Sequence, residues 1–169
     1  CAPDAWTWSC TNRKKLRVPG GGGSPDRRVT GVSDAQETAL REPVVAWYRD
    51  NARDLPWRRP GTTPWGVMVS EFMLQQTPVA RVEPIWREWM ERWPRPSDLA
   101  AAPRADVLRA WGRLGYPRRA LRLHEAARVV AEQHGDVVPA NLEALEALPG
   151  VGSYTARAVA AFGHGLRCP

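Results

Sequence analysis

Leu148-Pro149-Gly150-Val151-Gly152-Ser153-Tyr154-Thr155-Ala156 is the stretch that decides how this 169-residue chain folds. Helical segments flank it on both sides. Asn141 to Ala147 reads as a short helix, with Pro139 upstream and Asn141 as its N-cap. Ser153 to Phe162 is rich in Ala and Val at helical spacing. Glycines on either side of one apolar residue let the backbone turn with φ > 0. They also leave no side chain between the backbone N–H groups and an approaching anion. The second helix aims its positive N-terminus at the same point. Two helices joined by such a hairpin grip a DNA backbone without reading its sequence. The same spacing also fits an ordinary inter-helix turn closed by glycine, so the rest of the chain has to choose.

Composition leans toward the first reading. The formal net charge is +6, which favours an acidic partner, nucleic acid first. Lys14 and Lys15 are the only lysines, and arginine supplies the rest of the positive charge. Arginine suits forked phosphate contacts, although a GC-rich genome produces the same excess. Nine tryptophans are many for this length, and core packing accounts for most of them. Cys1, Cys10 and Cys168 lie near the two ends, with neither metal-ligand spacing nor a disulfide framework. This predicts free thiols and a cytoplasmic protein. No apolar run approaches membrane-spanning length, and the first residues hold no secretory apolar core. The chain begins with Cys1 and has no methionine before Met68, which suggests a fragment or a mistranslated gene model.

Residues 1–32 lack apolar periodicity. They carry Arg13, Lys14, Lys15 and Arg17, then Gly20 to Gly23, Ser24 and Pro25, and read as a disordered basic, Gly-rich arm. Residues 33–169 read as one helical domain. Ser33 with Gln36 resembles a capping box, and Pro43 interrupts or restarts a segment ending near Asn51. Leu55-Pro56-Trp57-Arg58 leaves it as an extended turn. Helices are expected at about Trp65 to Gln76, Pro78 to Trp93, Ser97 to Ala101, Arg104 to Trp111 and Arg118 to His134. No alternating strand pattern and no internal repeat occur, so the fold class is all-α.

Glu71 lies in the nearly apolar run Val67-Met68-Val69-Ser70-Glu71-Phe72-Met73-Leu74. A carboxyl held against apolar surface resists ionisation and can act as a general acid near neutral pH. Ser70, Glu71 and Gln75 could equally form the wet stripe of an amphipathic helix, and periodicity alone favours that. Gln75-Gln76-Thr77 offers amides and a hydroxyl suited to base edges, or simply a polar helix end. Gly112-Arg113-Leu114-Gly115-Tyr116 forms a second tight turn, flanked by Arg118 and Arg119. It could present Leu114 and Tyr116 as a duplex-opening wedge, or be a glycine cap with Tyr116 packed on its neighbour. His124 and His134 have no partner at metal-ligand spacing and read as structural.

From about Val44 to Pro169 the chain resembles the N-terminal catalytic region of adenine DNA glycosylases, the MutY type of the helix-hairpin-helix (endonuclease III) superfamily. Four blocks in order carry the resemblance: Leu55 to Arg58, Val69 to Thr77, Gly112 to Tyr116, and Leu148 to Ala156. It implies the helix-hairpin-helix glycosylase fold, mainly its six-helix subdomain. It also implies double-stranded DNA containing mismatched adenine as partner, a monomer, and a bacterial, nucleoid-associated location. The resemblance reverses the reading of Glu71. The matching glutamate protonates the flipped adenine and helps cleave its glycosidic bond, with a second carboxylate stabilising a cation-like sugar. Tyr154 matches an assisting position, where bifunctional relatives place a Schiff-base lysine. A phenol cannot do that, so the resemblance implies a monofunctional enzyme.

By the same resemblance, DNA would be contacted by Trp57, Arg58, Gln76, Thr77, Leu114, Gly115, Tyr116, Gly150, Val151 and Gly152. Gln76, Thr77, Leu114 and Tyr116 would probe around the oxidised guanine opposite adenine. Pro117 departs from the second aromatic common after the position of Tyr116. No metal site is expected in this chain. The family's 4Fe-4S loop, its Asp-x-Asn aspartate and its lesion-recognition domain would follow Pro169, so negligible excision and weak DNA binding are expected of these residues alone. A noncatalytic DNA-binding module and a uracil or thymine mismatch glycosylase of the same superfamily are the alternatives.

Overall fold

The computed structural model describes residues 34–166. The expected basic arm, the cap at Ser33 and all three cysteines fall outside the described residues. The described residues form α-helices and short 3₁₀ turns, with no strand among them, in agreement with the all-α reading. The described residues divide into two units, one ending at Asp50 and one starting at Asn51. In the first, helix α1 (Asp34–Asn51) runs unbroken through Pro43, where the sequence suggested an interruption. A proline inside a helix removes one backbone hydrogen bond without having to end it.

The second unit is organised around α2 (Pro64–Leu74), whose residues Trp65 to Met73 are all buried. Pro64 occupies the first turn, where a missing N–H costs nothing. The Thr63 side chain caps the helix by accepting from the Gly66 N–H at 3.1 Å. Helix α3 (Val79–Arg92) lays Val82, Trp86 and Trp89 on the core and carries Pro84 within it. The short α4 (Pro96–Ala100) and α5 (Arg104–Trp111) lead to a 3₁₀ turn, Gly112–Leu114. Helix α6 (Arg118–Gln133) buries Ala120, Leu123, Ala126, Ala127 and Val130 at the expected spacing. The short α7 (Leu142–Glu146) is capped by Asn141, whose side chain accepts from the N–H groups of Glu143 and Ala144. Helix α8 (Ser153–His164) closes the described chain, two residues longer than expected. Helices α3, α6 and α8 all pack on α2.

Tryptophan supplies much of the core and part of its bracing. The indole N–H of Trp65 donates to Trp93 O at 3.1 Å, and Trp86 to Gly66 O at 2.8 Å. Trp89 donates to Ala110 O at 3.1 Å, and Trp111 to Gly115 O at 2.9 Å. Each bond satisfies a polar atom while fastening one segment to another. Trp89 also meets Trp93 and Trp111 edge-on, with ring centroids 4.8 and 5.5 Å apart. Where α8 crosses the start of α2, a Cβ on Gly163 would come within 2.9 Å of Pro64 Cα, so only glycine permits that approach.

Trp89→Ala should cost about 3–5 kcal/mol, the usual range for emptying a buried aromatic site. Trp89→Phe should cost less, because it forfeits mainly the bond to Ala110. Urea unfolding of the two variants measures the difference.

Candidate active site and nucleic-acid interface

The Leu55–Arg58 block, expected as an extended turn, folds as a 3₁₀ turn over Pro56–Arg58. The Arg58 N–H donates to Leu55 O at 2.9 Å. This turn sends two neighbours in opposite directions. Trp57 is 1% exposed and lies edge-on to Trp86, with ring centroids 5.7 Å apart. Its ring fills the core rather than standing on the surface. Arg58 instead reaches out over the Phe162 ring of α8 and brings a guanidinium nitrogen to 3.9 Å from Glu71.

Glu71 is 5% exposed on the all-buried α2. Ser70 is fully buried, and its hydroxyl donates to Val67 O at 2.7 Å. The wet stripe that periodicity favoured is therefore absent. Burial pushes the Glu71 carboxyl above its ordinary range, and the attraction of Arg58 offsets part of that rise. Such a group holds its proton at a pH where an exposed carboxylate has lost it.

At the far end of α2 the helix stops at Leu74, short of the expected Gln76. Gln76 takes a left-handed conformation (φ 57°), as does Tyr116 (φ 49°) beyond the second turn. For side-chain-bearing residues that conformation costs about 1–2 kcal/mol. Both side chains are exposed, Tyr116 by 65%. They line an open cleft of about 540 Å³ together with Gln75, Arg118, Arg119 and Arg122. Arg118 and Arg122, one turn apart on α6, are exposed and have no ion-pair partner among the described residues. The cleft is thus positively charged and able to take a polyanion.

Leu114 is 3% exposed and sits in the core, whereas Tyr116 stands clear. Thr77 is buried as well, its hydroxyl donating to Leu114 O at 3.1 Å. Arg119, read in the sequence only as a flank, is a buried hub. Its guanidinium donates to carbonyls of Phe72, Met73, Gln75, Leu114 and Gly115 and to the Thr77 hydroxyl.

The Gly150–Gly152 hairpin lies against this region. Gly150 has φ +80°, and a Cβ there would approach Arg122 Cβ to 2.9 Å and Phe72 Cε1 to 3.1 Å. Val151 packs inward at 7% exposure, so its side chain belongs to the core. Gly152 is the N-cap of α8 and supplies no side-chain cap, so the helix begins with uncapped N–H groups. Tyr154 is 74% exposed on the first turn of α8, and its hydroxyl has no hydrogen-bond partner among the described residues.

Among the described residues no cluster of His, Cys, Asp or Glu is arranged to hold a metal ion. The whole chain has three cysteines, so it cannot itself furnish four thiolates for an iron–sulfur cluster. No helix among the described residues is long and apolar enough to cross a membrane.

A family model described as HhH-GPD superfamily base excision DNA repair protein matches residues 69–164. The adenine DNA glycosylase of Mycobacterium tuberculosis is 60% identical over 145 residues, spanning 86% of this chain and 46% of that protein. The adenine DNA glycosylase of Mycolicibacterium smegmatis is 61% identical over 126 residues, spanning 75% of this chain and 43% of that protein. Among solved structures, a thermostable thymine-DNA glycosylase superposes with a TM-score of 0.70 at 29% identity, covering 76% of this chain and 59% of that one. The chain therefore spans less than half the length of the two adenine glycosylases.

Two variants test the geometry. Gly152→Ala meets open space, so it should change stability by less than about 1 kcal/mol. It should still weaken duplex binding in a filter or anisotropy titration, because the new methyl stands between backbone N–H groups and phosphate. Glu71→Gln should raise stability at neutral pH. The raised folded-state pKa means the unfolded chain releases this proton first as pH increases, so ionisation works against folding. The gain should fade as pH falls below the ordinary carboxylate range, where both states are protonated, as chemical denaturation at several pH values would show.

Proposed function

The chain belongs to the HhH-GPD superfamily of base excision DNA repair proteins, and on that premise we propose that it forms the acid-bearing, DNA-gripping part of a monofunctional adenine DNA glycosylase. The proposed substrate is duplex DNA with adenine opposite 8-oxoguanine or guanine, and the reaction is hydrolysis of the N-glycosidic bond. The protein would work as a monomer on bacterial chromosomal DNA in the cytoplasm. The observation that carries this reading is Glu71, a buried carboxyl in an otherwise apolar helix, with its pKa raised by that burial.

The residues divide the work. The N–H groups around Gly150–Gly152 and the N-terminus of α8 hold phosphate. Arg118 and Arg122 add positive charge beside them. Gln76 and Tyr116 enter the helix near the base opposite adenine, compensating part of the unstacking that extrusion costs. Glu71 donates its proton to the departing adenine, so that the base leaves neutral while the electron pair of the glycosidic bond goes with it. Arg58 keeps the resulting carboxylate paired once the proton has gone. Water then adds to the sugar carbon, and the proton it releases restores the Glu71 carboxyl. Tyr154 has no amine and forms no Schiff base, which leaves the backbone uncut.

Single-turnover excision tests the proposal in a chain extended with the remaining half of the Mycobacterium tuberculosis relative. Glu71→Gln should lower the excision rate by about 10²–10⁴-fold, the range for a general acid, with duplex affinity within about threefold. Equal excision by the variant would overturn the role of Glu71. Retained binding without excision by the parent would favour a noncatalytic module. Faster release of uracil or thymine than of adenine would favour the pyrimidine-specific reading that the 29%-identical structure represents.

A further inference from the structure

Arg119 joins two elements that the sequence keeps more than thirty residues apart. On one side its guanidinium donates to Phe72 O at 3.1 Å, Met73 O at 3.2 Å, Gln75 O, and Thr77 Oγ1 at 3.1 Å. On the other it donates to Leu114 O at 3.0 Å and Gly115 O at 3.1 Å. These contacts bracket the two exposed left-handed residues. Residues 75 and 77 flank Gln76, and residues 114 and 115 run directly into Tyr116. The Arg119 backbone N–H also donates to Tyr116 O at 2.9 Å, and its guanidinium lies 5.5 Å from the centre of the Tyr116 ring. No carboxylate pairs with Arg119 among the described residues, so its charge is compensated by carbonyl dipoles, including those at the C-terminus of α2.

A cap for α2 alone would not require this arrangement, because carbonyls at a helix end can turn toward water. Here one planar donor fork is shared between the α2 terminus and the glycine turn. We infer that Arg119 is a positioning residue that locks Gln76 and Tyr116 into a single duplex-entering unit, so that neither side chain probes DNA independently. The inference rests on the DNA reading proposed above. Thr77 forms a second strut of the same joint through its bond to Leu114 O.

The test uses the 169-residue chain with a duplex carrying 2-aminopurine beside an adenine–guanine mismatch. This probe brightens when its stack opens. Arg119→Lys keeps the charge and loses the fork. At saturating protein its fluorescence rise should fall at least fivefold, to the level of Tyr116→Ala, while its affinity falls less than threefold. Amide hydrogen exchange without DNA should quicken at least tenfold in segments 72–78 and 112–118 together, with α3 unaltered. Loosening of one segment only, or a full fluorescence rise despite loosening of both, would overturn the inference. If the parent binds without brightening the probe, the DNA reading fails, and exchange alone then decides the joint: joint loosening supports it and independent behaviour rejects it. Should Arg119→Lys not fold, Thr77→Val carries the same comparison, with a smaller joint loosening expected.

Discussion

A helix buried along nine consecutive residues, Trp65 to Met73, is the constraint on which the rest of the second unit depends. Such a helix has no solvated face on which to discharge polar atoms, so every one of them needs a partner or a purpose. The Ser70 hydroxyl turns back onto its own helix. Gly66 O accepts from the Trp86 indole at one end, and Arg119 gathers the last carbonyls at the other. Gly163 lets α8 come close enough to seal the remaining side. The Glu71 carboxyl has no hydrogen-bond partner among the described residues and faces the Arg58 guanidinium at 3.9 Å.

That exception and the Arg119 joint are complementary uses of burial. At Glu71 the surroundings make the charged form costly, which weakens the fold near neutral pH and prepares an acid. At Arg119 the surroundings supply many acceptors, which hold a charge inside the protein and keep two strained backbone positions in place. Strain of this kind persists only where neighbours over-determine it. The two features lie side by side in the last turn of one short helix, so the packing that holds Glu71 is continuous with the packing that holds the Gln76 and Tyr116 backbone.

Much of this was legible in the sequence, for reasons that differ by element. The helices from α2 to α8 could be placed because their apolar spacing and caps are local properties. Asn141 before α7 and the repeat through Leu123, Ala126, Ala127 and Val130 are clear cases. The hairpin could be placed because glycines at two fixed positions leave the backbone few alternatives. The burial of Trp57 and Leu114 was not legible, since a large apolar residue in such a motif reads alike whether it wedges a duplex or fills a core. The burial of Glu71 contradicted its own periodicity, because α2 is apolar all round and has no wet side to predict. Arg119 carried a signal that went unread. It lies four residues before Leu123, on the buried face of α6, and an arginine at such a register demands a set of acceptors.

Gly150 rests on α6 beside Arg122, while Tyr116 emerges just ahead of the same helix. The anchor and the probe are therefore mounted on one rigid rod. Four residues of helix separate Arg118 from Arg122, an axial distance of about 6 Å at 1.5 Å per residue. A protein built this way carries its own ruler. On the function proposed above, the gripped phosphate and the inspected position would keep a constant spacing, because one helix supports both contact points.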